Sequence, residues 1–164
     1  MTVLQHRALA LVTRRIGHTI GHTISRAIVG LESLQPPALL AARLYVALAF
    51  FQSGLTKLRD WDTTLALFAD EYQVPLLPTE LAAWLGTGGE LVLPVLLALG
   101  LFGRFAALGL FVVNLIAVLS LKDIAPAALQ QHQFWGSLLV GLLLWGPGRW
   151  SMDRLYLRRW LAHA

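Results

Sequence analysis

Four apolar stretches constrain this chain more than any other feature, and they cover residues 38–58, 80–102, 105–121 and 129–146. A helix rises about 1.5 Å per residue, so about 20 residues cross the roughly 30 Å hydrocarbon core of a bilayer. Because lipid offers no hydrogen bonds, the backbone of such a stretch must satisfy its polar groups within a helix. The pattern predicts an all-α integral membrane protein with four spans.

The overall composition agrees and excludes several other classes of protein. Hydrophobic residues make up 57% of the 164 residues and charged residues 13%, against about 45–50% and about 25% in soluble domains. A soluble or disordered chain could not accommodate so much apolar surface. The absence of cysteine excludes disulfides and Cys-ligated zinc or iron–sulfur sites. The sequence has no Walker loop, dinucleotide fingerprint, HExxH or GxSxG motif either. Haem would need axial ligands, and His132 is the one histidine near a span.

The distribution of charge indicates topology rather than nucleic-acid binding. The net charge is +4, but the arginines concentrate in residues 1–36 and 149–164, while acids dominate residues 60–80. Cytoplasmic segments of membrane proteins carry an excess of Lys and Arg. We therefore expect a multi-pass membrane protein with both termini in the cytoplasm. The bilayer is its first partner, and nucleic acid is not expected to be one.

Residues 1–36 form an amphipathic segment with aliphatic residues on one helical face and basic ones on the other. This pattern is typical of a helix that lies in the membrane interface, although an Arg-rich start also resembles an organelle transit peptide. His18 and His22 lie one turn apart and could ligate a metal, but both fall on the solvated face, so no metal site is assigned. Pro36 and Pro37 are expected to end the segment.

The remaining residues divide into a bundle and a tail. Residues 37–148 are predicted to form an up-down four-helix bundle because the connections between spans are short. A short helix is expected near residues 65–68, in the acidic connection. Gly89 permits close helix approach, and Pro94 is expected to kink the second span. Residues 149–164 are expected to be a basic cytoplasmic tail.

The few polar side chains at membrane depth are the candidate ligand-binding residues. They are Gln52, Lys57, Glu90, Asn114 and His132. Glu90 requires a cation or a proton, so it either staples the bundle through a salt bridge or binds a ligand. Lys57 and Arg43 could instead snorkel to the interface. Asn114 could simply bond helix to helix, and His132 could be an interfacial residue. By depth alone, the five candidates could converge in one half of the bundle.

Three motifs resemble those of the DoxX family. Residues 52–58 (QSGLTKL), preceded by Arg43, resemble its first-helix signature. Residues 88–104 resemble its second, a Gly-Glu pair followed by a Leu-rich stretch and Gly-x-x-x-Arg. Residues 146–153 (GPGRWSMD) are similar to its closing motif. The resemblance covers about residues 38–155 and carries over Arg43, Gly54, Lys57, Glu90 and Arg104.

The resemblance implies a small four-helix protein of the bacterial inner membrane, some relatives of which belong to quinone-dependent redox systems. The resemblance further implies that this chain is an accessory subunit of such a system, with a quinone as the possible cofactor. It also implies association with a protein partner or as a homo-oligomer. No catalytic residue is assigned, and the chain is at most a subunit of an oxidoreductase. A non-catalytic membrane anchor for another protein, or a carrier of a small solute or metal, are the alternatives.

Overall fold

The computed structural model describes residues 3–72, 74, 76–121 and 123–161, with side chains described from residue 25 to 156 within these ranges. All regular elements there are helices: α1 (Val3–Arg59), α2 (Trp61–Asp70), α3 (Thr79–Leu99), α4 (Gly103–Ser120), α5 (Pro126–Trp145) and α6 (Met152–Leu161). The prediction of an all-α protein is confirmed, and so is the short helix in the acidic connection, which is α2.

The expectation that Pro36 and Pro37 end a helix is wrong, because both lie inside α1. A proline removes one N–H donor and disfavours the helical conformation of the residue before it, but it does not prevent the flanking turns from being helical. The chain nevertheless divides into two compact units between Gln35 and Pro36. In the first unit, residues 25–35 are exposed. His18 and His22 lie outside the described side chains, so the interfacial segment stays a prediction.

Three of the described helical segments are long and apolar enough to cross a membrane: Ser25–Arg59 in α1, Thr79–Leu99 and Gly103–Ser120. This confirms a membrane protein with several spanning helices. Helix α5 has 20 residues, but Gln130, Gln131, His132 and Gln133 in its first half lower its hydropathy. A fourth span therefore stays a prediction.

In the second unit, α1, α3, α4 and α5 share one apolar core. Its buried residues are Val46, Phe50, Leu97, Ala106, Ala107, Leu110, Leu139 and Leu142. Gly89 lets α3 approach α4, since a Cβ at that position would lie 3.1 Å from Val113 Cγ2. Pro94 is buried inside α3. Gly89 thus allows the close helix approach that the sequence predicted.

The connections lie at two ends of the second unit, which we call the α2 end and the α6 end. At the α2 end, Tyr72 forms a β-bridge with Leu121, joining the α2–α3 and α4–α5 connections. At the α6 end, α3 turns into α4 over residues 100–102, a little earlier than residues 103–104, which separate the second and third apolar stretches of the sequence. Gly100 (φ 65°) and Phe102 (φ 48°) adopt the left-handed conformation that makes this turn.

Arg43 connects three segments at the α6 end, so it does not snorkel to the interface. Its side chain is 1% exposed, and its Nη2 donates a hydrogen bond to the Trp150 carbonyl at 2.6 Å. A Cβ on Gly100 would collide with this guanidinium and with Ser151. Residues of all three family-like motifs are therefore in contact here: Arg43 from the first, Gly100 from the second and Ser151 from the last.

Two further contacts fix the ends of α4 and α5. Asp153 accepts hydrogen bonds from the Phe102 and Gly103 N–H groups at 2.8 and 2.9 Å. These N–H groups open α4 and have no partner within the helix. Arg104 Nη2 donates to the Leu144 carbonyl at 3.2 Å, near the end of α5. Part of the predicted basic tail is thus packed onto the helices, and Met152–Leu161 is helical.

Replacing Asp153 with Ala should lower the thermal unfolding temperature of the detergent-solubilised protein. The change removes both acceptors from the start of α4, and losing a cap costs about 1–2 kcal/mol. For a chain of this size we expect a fall of about 2–8 °C, followed by circular dichroism. Asp123→Ala, at an exposed acid, is the control. Equal midpoints for the two variants would contradict the capping role.

Candidate functional site

The α2 end is held together by polar contacts around the junction of α1 and α2. Asp60 caps α2 by accepting hydrogen bonds from Thr63 N at 3.0 Å and Thr63 Oγ1 at 2.7 Å. These hydrogen bonds, the side-chain one first, lower the pKa of Asp60. Thr64 Oγ1 is within 2.9 Å of both the Lys57 and Asp60 carbonyls. As a result, α2 follows α1 in a fixed orientation.

A close approach of α1 to α3 creates the polar centre of the site. A Cβ on Gly54 would lie 2.9 Å from Leu91 Cγ and 3.1 Å from Glu90 Cβ. A glycine at this position therefore lets the backbone of α1 come up against α3 beside Glu90. Lys57 lies three residues after Gly54, on the same helical face.

Lys57 and Glu90 form an ion pair. Lys57 Nζ lies 2.5 Å from Glu90 Oε2, and it also donates a hydrogen bond to Ser53 Oγ at 2.9 Å. The two side chains are 13% and 10% exposed. Lys57 therefore turns into the protein instead of snorkelling. A buried charge requires a partner, and each of these two charges provides one for the other.

A cavity of about 160 Å³ lies beside this pair. Lys57 and Glu90 are the charged residues among those that line it. The remaining lining residues are Phe68, Tyr72, Val74, Leu77, Ala82, Leu85, Gly86, Val113, Ile116, Ala117 and Ser120. The walls come from α1, α2, α3, α4 and the α2–α3 connection. The site is thus an apolar chamber with an ion pair in its wall.

Tyr72 and Phe68 line the cavity from the α2 side. Their rings stack with centroids 5.0 Å apart, and Phe68 approaches α3 at Gly86, where a Cβ would lie 3.3 Å from Phe68 Cζ. Burial raises the pKa of the Tyr72 phenol, and the negative charge of Glu90 raises it further. The Tyr72 hydroxyl therefore stays protonated at neutral pH and can donate a hydrogen bond.

Asn114 and His132 form a second polar pair, between α4 and α5. His132 Nδ1 lies 2.8 Å from Asn114 Oδ1, and Asn114 Nδ2 donates to the His132 carbonyl at 3.0 Å. The His132 ring meets Trp135 edge-on, with centroids 5.2 Å apart. This is the helix-to-helix bonding expected of Asn114. Neither residue of the pair is among those lining the cavity.

In the structure, four of the five candidates form two pairs, and the fifth lies apart from both. Lys57 pairs with Glu90 and Asn114 with His132, while Gln52 is exposed and does not line the cavity. Gln52 points away because it lies five residues before Lys57, about a turn and a half along α1. Among the described residues, no cluster of His, Asp and Glu is suited to hold a metal ion.

Sequence reasoning did not assign Ser53, Tyr72 or Ser120 to the site. The spacing of Ser53 and Lys57, one helical turn, was a usable signal for their hydrogen bond. Tyr72 and Ser120 lie at the ends of α2 and α4, where a sequence pattern does not reveal which side chains turn inward. Their place at the cavity depends on how the connections fold back.

Comparison with known proteins settles the family. The DoxX family model matches residues 38–123. The chain belongs to the DoxX family. An uncharacterized membrane protein of Mycobacterium tuberculosis is 34% identical over 139 residues, covering 76% of this chain and 84% of the relative. An uncharacterized protein of Haemophilus influenzae is 29% identical over 127 residues, covering 72% and 82%. No solved structure matches the chain.

The DoxX match contains the whole ion pair and the cavity. It begins in α1 before Arg43 and ends after α4. The closing motif at residues 146–153 lies beyond it, although Trp150 and Asp153 contact residues inside it. The features of the site thus belong to the region that this chain shares with the family.

A double-mutant cycle at Lys57 and Glu90 should show strong coupling. Removing one partner leaves a buried charge, which costs about 3–5 kcal/mol, so Lys57→Met and Glu90→Gln should each lower the thermal midpoint. The double variant should recover much of that loss. Glu80→Gln, the same change at an exposed position, and Arg59→Met, which also replaces an exposed cation with Met, are controls. A double variant as unstable as the sum of the single variants would contradict the coupling.

Proposed function

We propose that this DoxX family protein binds a small amphipathic ring compound, such as a quinone headgroup, in the cavity beside Lys57 and Glu90. In this role it is an accessory membrane subunit of a redox system and associates with a protein partner. The observation that carries the proposal is the buried ion pair in the wall of a chamber whose other lining residues are mostly apolar. Small-molecule sites combine such apolar walls with a few placed polar groups.

The size of the cavity favours a ligand with one ring. Its volume is about 160 Å³, and an apolar cavity of about 150 Å³ in another protein binds benzene. The chamber therefore suits a single six-membered ring with small substituents. A nucleotide or a haem would be much larger than this space.

The rim of the cavity suits a ligand that carries an apolar tail. Leu77, Leu85 and Ile116 line the cavity and are also 37%, 56% and 39% exposed. Leu85 and Ile116 belong to segments long and apolar enough to span a membrane, so their exposed sides face lipid. A tail that leaves the chamber between them would remain in hydrocarbon.

The ion pair supplies the two kinds of group that a carbonyl ligand requires. The Lys57 ammonium can donate a hydrogen bond to a ligand oxygen, and the Glu90 carboxylate can accept a proton from a ligand hydroxyl. Tyr72 offers a third polar group at the cavity wall. These groups bind and orient a ligand oxygen; electron transfer itself would belong to the ligand and to a partner subunit.

Ubiquinone-1 should stabilise the purified protein in a saturable way. A ligand at a hundredfold excess over its Kd stabilises by about 2.7 kcal/mol, so we expect the thermal midpoint to rise by about 5 °C or more. Ala117→Leu, which fills the chamber, should abolish the rise. Ala127→Leu makes the same change at an exposed site on α5 and should retain it. Equal responses of the two variants, or none in the native protein, would overturn the proposal.

We also propose that α5 crosses the membrane as a fourth span, so that both termini lie in the cytoplasm of a bacterial inner membrane. The support is that α5 contributes Leu139 and Leu142 to the shared core, which places it alongside α1, α3 and α4. Arg104, Arg149 and Arg154 gather at the α6 end, as cytoplasmic positive charge would.

Reporter fusions test this topology. Alkaline phosphatase joined after residue 164 should be inactive and green fluorescent protein joined there should be fluorescent. An alkaline phosphatase inserted after Asp123, in the α4–α5 connection, should be active. An active phosphatase at the C-terminus would show either three spans or the opposite orientation, and the insertion after Asp123 would distinguish the two.

A further inference from the structure

The cavity has an unused polar group at a distance from its ion pair. Ser120 is the last residue of α4 and one of the residues lining the cavity. It is 2% exposed, and within the described part of the chain its Oγ has no hydrogen-bond partner. A buried hydroxyl without a partner costs stability, so its presence in a cavity wall points to a ligand.

The register of α4 places Ser120 in line with the rest of the wall. Val113, Ile116, Ala117 and Ser120 all line the cavity, and their spacing of three, four and seven residues is that of one helical face. The first three are apolar. One stripe of α4 therefore offers an apolar surface that ends in a hydroxyl.

The apolar residues on this face of α4 separate the Ser120 hydroxyl from the Lys57–Glu90 ion pair. Val113 packs against Gly89, next to Glu90, so the ion pair lies near the level of Val113. Ser120 is seven residues further along α4, an axial distance of about 10 Å. Because helical side chains lean toward the N-terminus, Ser120 leans back toward the pair. The chamber thus has polar groups at two ends and apolar walls between them.

We propose that Ser120 is a second polar anchor, and that the ligand is a single apolar ring with an oxygen atom at each of two opposite ends. One oxygen binds at Lys57 and Glu90, and the other accepts a hydrogen bond from Ser120 Oγ. This inference rests on the proposed function and makes Ser120 a specificity-determining residue. A ring with oxygens on adjacent carbons, or with one oxygen, would leave Ser120 without a partner.

The proposal separates the role of Ser120 in binding from its role in stability. In the empty protein, Ser120→Ala removes a hydroxyl that has no partner, so the thermal midpoint should stay the same or rise. In the complex, the same change removes a hydrogen bond worth about tenfold in affinity. A residue needed only for folding would show the reverse pattern.

The test compares two chemically inert probes, 1,4-dimethoxybenzene and methoxybenzene, by equilibrium binding to the detergent-solubilised full chain. The native protein should bind the first about tenfold more tightly than the second. Ser120→Ala should bind both with the weaker affinity. Thr87→Val is the matched control, because Thr87 is 1% exposed and its hydroxyl also lacks a partner among the described residues, but it does not line the cavity.

The outcomes distinguish failure of the Ser120 anchor from failure of the proposed function. Equal affinity of the native protein for both probes, or a preference that survives Ser120→Ala, overturns the role of Ser120. Loss of the preference in Thr87→Val as well would show a general effect of removing hydroxyls and would also overturn it. If ubiquinone-1 binds and neither probe does, the second anchor fails and the proposed function stands. If nothing binds, the proposed function fails, and this inference with it.

Discussion

The ion pair between Lys57 and Glu90 is the interaction on which the α2 end depends. Two charges that are nearly removed from solvent can be stable only if they meet, so α1 and α3 must approach within the reach of these side chains. Gly54 permits that approach. The neighbouring contacts follow from it: Thr64 bonds the end of α1, α2 lies over α3 at Gly86, and a chamber remains between α2, α3 and α4.

At the α6 end, the hydrogen bonds of the charged side chains go to backbone groups. Arg43, Arg104 and Asp153 each bind main-chain atoms where a helix or a turn begins or ends. Backbone atoms at helix ends lack intrahelical partners, and in a membrane protein they cannot all rely on water. Charged residues thus cap helices at both ends, through Asp60 at one and Asp153 at the other, and the buried ion pair belongs to the α2 end.

The sequence predicted the features that depend on local pattern. Length and hydropathy revealed α3, α4 and the second half of α1, and burial cost identified Glu90 as a residue that needs a partner. Position along a helix could not reveal that Gln52 turns outward while Lys57 turns inward, because that depends on how α1 rotates against α3. Tyr72 and Ser120 required the fold of two connections, and the capping by Asp153 required a contact across 50 residues of sequence.

Pro94 gives the residue at the centre of the site an additional property. A proline has no N–H to offer the carbonyl four residues earlier, and in α3 that carbonyl belongs to Glu90. The main chain of Glu90 is therefore deprived of its regular helical donor at the same residue whose carboxylate binds Lys57. One position in the helix thus concentrates negative electrostatic potential from two sources, and only one of them can be changed by mutating the side chain.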